Sequence, residues 1–314
     1  MTTLGIDDIS MIKVIITGSN GFIGQELLHQ AIQTVDIEPI AFSRGENRFV
    51  KKDAYQYESV DVTEPAELEH QIQIHQPQCL IHTVAWANVE ECAADPAQCY
   101  HINTEPVKTL TLLAEKYNFH LIFLSTDFVF DGFNGPYAEA DSPNPLNVYG
   151  ESKLEAERLI ISSKCRWSIV RTILVYGMPH DPSRSNLILW VKKSLEENKN
   201  IKVVTDHVRM PTLVNDLAEV CLAMARKEVT GLFHISGEES YSVNEIARRV
   251  AAFWQLDESL ITNVHSKDLP SSVARPGYTG FDITKAKTEL NFKPHTLVEG
   301  LQIIDNALLT SSIL

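Results

Sequence analysis

The sequence predicts a doubly wound parallel α/β fold with a smaller C-terminal lobe. Three observations carry this: a glycine-rich strand-to-helix turn near the start, an alternation of short apolar runs with helical stretches to about residue 175, and a looser, proline-interrupted second half. At 314 residues the chain can bury a large core, as one big α/β unit with an appendage does.

The first element is the β-branched run Lys13-Val14-Ile15-Ile16-Thr17, which ends in Gly18-Ser19-Asn20-Gly21-Phe22-Ile23-Gly24 before the helix-forming stretch Gln25 to Ala31. Glycines at such a turn let the backbone bend tightly and approach a pyrophosphate, whose charge the helix start favours. The spacing is G-x-x-G-x-x-G rather than the commoner G-x-G-x-x-G. Met11 directly precedes the strand, so residues 1 to 10 are expected to be a disordered extension; they lack the charged and apolar regions of a secretion signal.

The next strand, Pro39-Ile40-Ala41-Phe42, ends in Ser43-Arg44, where an NAD site usually carries a carboxylate. Arg44 would attract a 2′-phosphate, which favours NADP(H) with NAD(H) as the alternative, unless Arg44 is a solvated loop residue. Asp61, after the strand Glu58-Ser59-Val60, is placed to meet the adenine edge or to cap a helix starting near Glu64. Val62, and Val84 and Ala85 after the strand Cys79 to Thr83, complete the expected cofactor wall.

A helix over about 96 to 117, the strand Leu121 to Ser125, a helix carrying Tyr149 and the strand Ser168 to Arg171 continue the alternation. Residues 11–175 are therefore expected to form a Rossmann domain, with a returning portion at about 211–237 that includes a strand from Gly231 to Ile235. Residues 176–210 and 238–314 are expected to form a lobe over the strand ends, where doubly wound sheets bind their ligands.

The net charge of -14 and the pI near 5.2 argue against nucleic acid or an anionic membrane as partner, and no run reaches about 18 consecutive apolar residues. Five cysteines without a C-x-x-C pair read as reduced thiols of a cytoplasmic protein. The histidines show no metal-ligand spacing, so no catalytic metal is expected. The expected partner is a small molecule, with homodimerisation left open.

Tyr149 and Lys153 stand four residues apart, one helical turn, so both side chains can address one target. An ammonium beside a phenol favours the phenolate and brings the acid nearer working pH, although the same spacing also suits a plain amphipathic helix with a solvated lysine. With the glycine turn, this pair resembles the extended short-chain dehydrogenase/reductases. Leu124-Ser125-Thr126-Asp127-Phe128-Val129-Phe130-Asp131-Gly132 matches the end of that family's fifth strand, which implies Thr126 as the third catalytic residue beside Tyr149 and Lys153. Asn103, in His101-Ile102-Asn103-Thr104, matches the asparagine that bends the fourth helix and holds a proton-relay water; an ordinary helix asparagine is the alternative.

Within that family the chain is most similar to the dTDP-4-dehydrorhamnose reductases. The residues that carry this are the Ser-Thr-Asp-aromatic-Val-Phe string, Pro145-Leu146-Asn147-Val148-Tyr149-Gly150, Val170-Arg171-Thr172, Asp206 with Pro211-Thr212, and Arg275-Pro276 with Asp282 and Lys285. The family's 4,6-dehydratases read Ser-Thr-Asp-Glu in the first string, because elimination of water needs an extra carboxylate. Phe128 stands there instead, which points to ketone reduction. Phe128 and Leu174 also replace a tyrosine and a tryptophan of the reductases, and Ala93 a glutamate. Thr126, Asp127, Phe128 and Tyr149 are the expected substrate contacts; Arg184, Arg209 and Arg275, with Asn186, could hold a diphosphate, or form surface ion pairs.

The resemblance implies NADPH-dependent reduction of a keto group, at C4 of a nucleotide-linked 4-keto-6-deoxysugar. The alternatives are an epimerase with retained NAD and a non-catalytic regulatory subunit like the β subunit of methionine adenosyltransferase, which shares the fold.

Overall fold

The computed structural model describes residues 11–49, 51–270 and 273–311, so the expectation for residues 1–10 lies outside the described residues. In chain order the elements are β1 (Ile12–Thr17), α1 (Phe22–Ala31), β2 (Ile37–Ser43), β3 (Gln56–Ser59), α2 (Pro65–His75), β4 (Cys79–His82), α3 (Val89–Ala94), α4 (Pro96–Asn103) and α5 (Glu105–Tyr117). Then come β5 (His120–Thr126), α6 (Val148–Ser162), β6 (Arg166–Thr172), β7 (Val175–Tyr176), α7 (Leu187–Glu196), β8 (Ile201–Val204), β9 (Val208–Arg209) and β10 (Thr212–Leu213). The chain ends with α8 (Val214–Lys227), β11 (Gly231–Ile235), β12 (Tyr241–Ser242), α9 (Val243–Phe253), β13 (Ile261–Val264), α10 (Thr284–Glu289) and α11 (Leu297–Ser311).

Seven strands form one parallel sheet in the order β11-β6-β5-β4-β1-β2-β3, the doubly wound arrangement expected. Its central strands are apolar on both faces because helices cover both. Successive residues alternate sides: Val14, Ile16, Ile81, Ile122 and Val170 pack with α1 and α8, while Ile15, Leu80, Leu121 and Ile169 pack with α2, α5 and α6. The strand order reverses between β1 and β4, which leaves a crevice at the strand ends there.

A third core, built from Val191, Val203, Tyr241, Ile246, Ile261 and Leu301, holds the small lobe together. The lobe boundary differs from the expected one. Phe281, Ile283, Ala286 and Phe292 pack into the first sheet core, and Lys285 Nζ donates to the Leu232 carbonyl at 2.8 Å, so this stretch belongs with the sheet. The stretch 96–117 is likewise two helices rather than one. It breaks at Thr104, whose hydroxyl donates to the Ser152 carbonyl at 2.9 Å, and Pro106 opens the second helix.

Beneath the strand ends a buried ion pair ties β6 to α6: Arg171 Nη2 and Nε meet the Glu157 carboxylate at 2.6 and 3.0 Å. Both side chains are almost fully buried, and Glu157 also accepts from Ser125 Oγ at 2.5 Å. Arg171→Met should therefore destabilise the protein by about 3–5 kcal/mol in urea unfolding, because it leaves the buried Glu157 carboxylate without its paired cation. Adding Glu157→Leu should recover much of that loss; a double variant no more stable than Arg171→Met would refute the pairing as the cause.

Candidate active site

The crevice is a cavity of about 880 Å³ that runs from the start of α1 to the small lobe. Gly21, Phe22, Ile23 and Ala85 line one end, Thr126, Phe128, Tyr149 and Lys153 the middle, and Leu187, His207, Val243 and Arg275 the far side.

The glycine turn fits a dinucleotide phosphate. Gly18 has φ +73°, and a Cβ there would fall 2.6 Å from Thr83 Oγ1; a Cβ on Gly24 would fall 2.3 Å from the Gly18 carbonyl oxygen. Gly21 caps α1 without any side-chain acceptor, so the first amides of the helix face the cavity end unclaimed by a cap. The side chain of Asn20 is committed elsewhere. Its Nδ2 donates to the Glu46 carbonyl at 2.9 Å and its Oδ1 accepts from the Arg48 amide at 2.9 Å, which staples the loop after β2 to the turn.

Ser43 ends β2, and the exposed Arg44 follows it, 3.7 Å from Asp61. Asp61 does not begin α2, whose N-cap is Glu64; its carboxylate accepts from the Thr63 amide and hydroxyl at 3.0 and 2.8 Å, which with Arg44 outweigh burial and hold its pKa below the ordinary range. Val62 is a core residue, and Val84 packs against the same core beside Gly18.

The middle of the site is assembled by α6. Asn147 caps the helix through the Gly150 amide at 2.9 Å and donates to the Ala274 carbonyl at 2.9 Å, so cap and far loop are one structure. Gly150 lets α6 press on the end of β5: a Cβ there would lie 2.2 Å from the Phe128 carbonyl oxygen. Tyr149 and Lys153 are thereby carried to the cavity beside Thr126. The Phe128 ring stands edge-on to Tyr149 at 5.8 Å.

Lys153 is 1% exposed; its Nζ donates to the Leu124 carbonyl at 2.7 Å and sits 3.9 Å from the centroid of the Phe123 ring. Burial pulls its pKa down to about 7, with Glu157 opposing the fall. Burial also raises the Tyr149 phenol above its ordinary value, against the hydrogen bond with Thr126. The lowered phenol pKa expected beside Lys153 is therefore not found in the protein alone, because burial outweighs the lowering contribution.

Asn103, Arg209 and Asp127 are each engaged by other groups of the protein. Asn103 sits at the helix break as expected, but its Oδ1 accepts from the Trp86 amide at 2.7 Å and its Nδ2 donates to Trp86 O at 3.1 Å and Ser152 Oγ at 3.0 Å. Its side chain positions the wall at Trp86. Arg209 is 5% exposed; it donates to the carbonyls of Val208, Pro276 and Gly277 at 2.7 to 2.9 Å, with Nε 3.7 Å from Asp127. These bonds make it a brace for the 276–277 loop at the cavity wall. Asp127 is itself buried, which raises its carboxyl, and it accepts from Thr279 at 2.5 Å.

Arg184 and Arg275 line the cavity together with Arg209; Arg275 Nη2 meets Glu90 Oε1 at 2.6 Å. Asn186 lies outside the lining and caps α7. Leu174, also in the wall, has φ +40°, a left-handed backbone that costs a leucine about 1–3 kcal/mol. Sequence reasoning missed Glu157, although its place one turn beyond Lys153 was a signal, and His207, Leu187 and Val243, which had none.

Among the described residues, no helix is long and apolar enough to cross a membrane, and no three His, Cys, Asp or Glu side chains gather as a metal site.

A dinucleotide-sized glycine cradle at the switch point, with a Thr-Tyr-Lys set at the strand ends, defines an extended short-chain dehydrogenase/reductase, a scaffold of NAD(P)-dependent oxidoreductases. Residues 12–308 match the model of the RmlD substrate binding domain, and the chain belongs to that family. It is 28% identical over 283 residues to the methionine adenosyltransferase 2 subunit beta of Bos taurus, covering 88% of this chain and 82% of the relative. It is 27% identical over 297 residues to the dTDP-4-dehydrorhamnose reductase of Aggregatibacter actinomycetemcomitans, covering 90% and 95%. The solved dTDP-4-dehydrorhamnose reductase of Bacillus anthracis, in complex with NADP, superposes with a TM-score of 0.82 at 23% identity over 95% of this chain and all of that one.

The burial of Lys153 has a measurable signature. Its folded pKa near 7 lies below the ordinary 10.5, so between those values the unfolded chain binds one more proton. The contribution of this group to stability should accordingly rise as pH rises from about 7 to 10.5, and its ε-carbon resonance in ¹³C-labelled protein should titrate near 7. A midpoint above 10 would show that the amine is solvated.

Proposed function

We propose that the protein reduces the keto group of a nucleotide-linked 4-keto-6-deoxysugar, with NADPH as the reductant. The observation that carries this reading is the convergence of Thr126, Tyr149 and Lys153 on one cavity in which Phe128, not a carboxylate, faces Tyr149. A bound NADPH supplies hydride; the chain supplies position and protons.

In this reading Tyr149 Oη protonates the alkoxide that forms as the carbonyl is reduced, and the Thr126 hydroxyl donates a second hydrogen bond to the same oxygen. Lys153, protonated below about pH 7, holds positive charge beneath the phenol and favours its ionised form as the proton leaves. Gly18, Gly21 and Gly24 would hold the pyrophosphate with the start of α1, and Arg44 the 2′-phosphate. Arg184, Arg209 and Arg275, all in the cavity lining, would face the substrate's diphosphate.

The test is NADPH consumption, followed by absorbance, against a panel of 4-keto sugar nucleotides with NADH in parallel. Tyr149→Phe should lower turnover by about 10²–10⁴-fold while cofactor affinity stays near that of the unaltered protein. Near-normal turnover in that variant would sink the catalytic assignment. Arg44→Asp should raise KM for NADPH by about tenfold or more and leave NADH little affected; equal effects on both would remove Arg44 from the phosphate site.

The 28% identity to a methionine adenosyltransferase β subunit favours a second reading, a cofactor-binding regulatory subunit. Recovery of a stoichiometric protein partner, together with no turnover on any sugar nucleotide, would favour it over the first.

A further inference from the structure

Two thiols behind the cavity wall lie close enough to react with each other. Cys92 on α3 and Cys99 on α4 place their sulfurs 2.7 Å apart, and both side chains are fully buried. A disulfide has an S–S length of about 2.05 Å, so closure needs an approach of only about 0.7 Å. The pair is tied to the site by its remaining contacts. Cys92 Sγ donates to the Trp86 carbonyl at 3.2 Å, while Cys99 Sγ accepts from Asn103 Nδ2 at 3.3 Å and lies 3.5 Å from the hydroxyl of Ser152, the neighbour of Lys153.

We propose that Cys92 and Cys99 are a site of reversible oxidation, a dithiol that converts to an intramolecular disulfide by exchange with a low-molecular-weight disulfide. One cysteine thiolate attacks the small disulfide, forming a mixed disulfide and expelling one thiolate. The second cysteine then attacks the protein sulfur of that mixed disulfide, forming the Cys92–Cys99 bond and expelling the other. The protein loses two electrons and two protons; the small disulfide gains both and leaves as two thiols.

Access comes from the shallow position of the pair. Residues 93–98, the whole connection between the two cysteines, are exposed, and α3 is only six residues long. Burial pushes the Cys92 thiol up, so exchange proceeds through local opening of α3 and is slow in the closed form. Once formed, the disulfide removes the S–H that Cys92 donates to Trp86, beside the Ala85 and Ala87 wall of the cavity.

The experiment equilibrates the full chain, without oxygen, in mixtures of reduced and oxidised glutathione of increasing poise, followed by acid quench, denaturation and alkylation. Labels should fall from five to three with increasing oxidation, with an intact mass lower by about 2 Da before alkylation and the lost labels mapping to Cys92 and Cys99. Cys99→Ser, which keeps an acceptor for Asn103, should never show the 2 Da loss, and any label it loses should be matched by one glutathione adduct on Cys92. Five labels at every poise, a stable glutathione adduct on either sulfur, or a linkage through Cys79, Cys165 or Cys221 would overturn the proposal. The count needs no substrate, so it stands or falls separately from the proposed reduction.

Discussion

Holding one amine out of water organises the centre of this molecule. Lys153 reaches the end of β5 only because α6 lies unusually near that strand, and α6 lies there because Gly150 has no side chain to meet the Phe128 carbonyl. The seat is fixed from every side. Asn147 joins the start of α6 to the loop at Ala274, Thr104 fastens the helix break to Ser152, and Glu157 anchors the next turn to β6 through Arg171. An amine moved into such a place loses its hydration, and a carbonyl and an aromatic face replace only part of it. Its proton is therefore loosely held near neutrality, and the phenol beside it is tightly held. Both shifts have burial as their largest cause, and opposed perturbations gathered in one cavity are a mark of a functional site.

Much of this was legible in the sequence because the signals are local. The period-two apolar runs, the glycine turn and the four-residue spacing of Tyr149 and Lys153 each depend on backbone geometry within a single element. Thr126 was legible from its place at the end of an apolar strand. What was not legible depends on who meets whom in space. Arg209 has the chemistry of a phosphate ligand, yet two of its N–H groups are claimed by carbonyls 67 and 68 residues away in the chain. Asn103 looked like a water holder, and its amide is claimed by the backbone of Trp86. No local pattern states whether a polar group is already partnered. The same holds for the stretch around Phe281 and Phe292, which reads as part of the lobe and packs into the sheet core.

The scaffold and the pocket carry different information. Family membership rests on the whole chain, and relatives of similar identity include both a reductase and a subunit of a transferase. What distinguishes this chain lies in a few wall residues. Phe128 places a hydrocarbon edge against Tyr149, where a hydroxyl or a carboxylate would change the proton chemistry, and Leu174 projects from a strained backbone into the same space. A position that keeps a left-handed leucine gains something from its side chain, since glycine would remove the strain.

The path of the chain through the sheet limits how the molecule can be divided. After β6 it leaves to build part of the small lobe, and it returns to lay β11 along β6 before leaving again. The edge of the cofactor half is thus made from sequence that follows the first lobe segment. A fragment ending near residue 210 would expose the hydrogen-bonding edge of β6 from Ser168 to Thr172 and present an open strand to its neighbours in solution. The two halves are interleaved along the chain, so neither can be expressed as an intact unit by a single cut, and any relative movement between them must bend several connections at once.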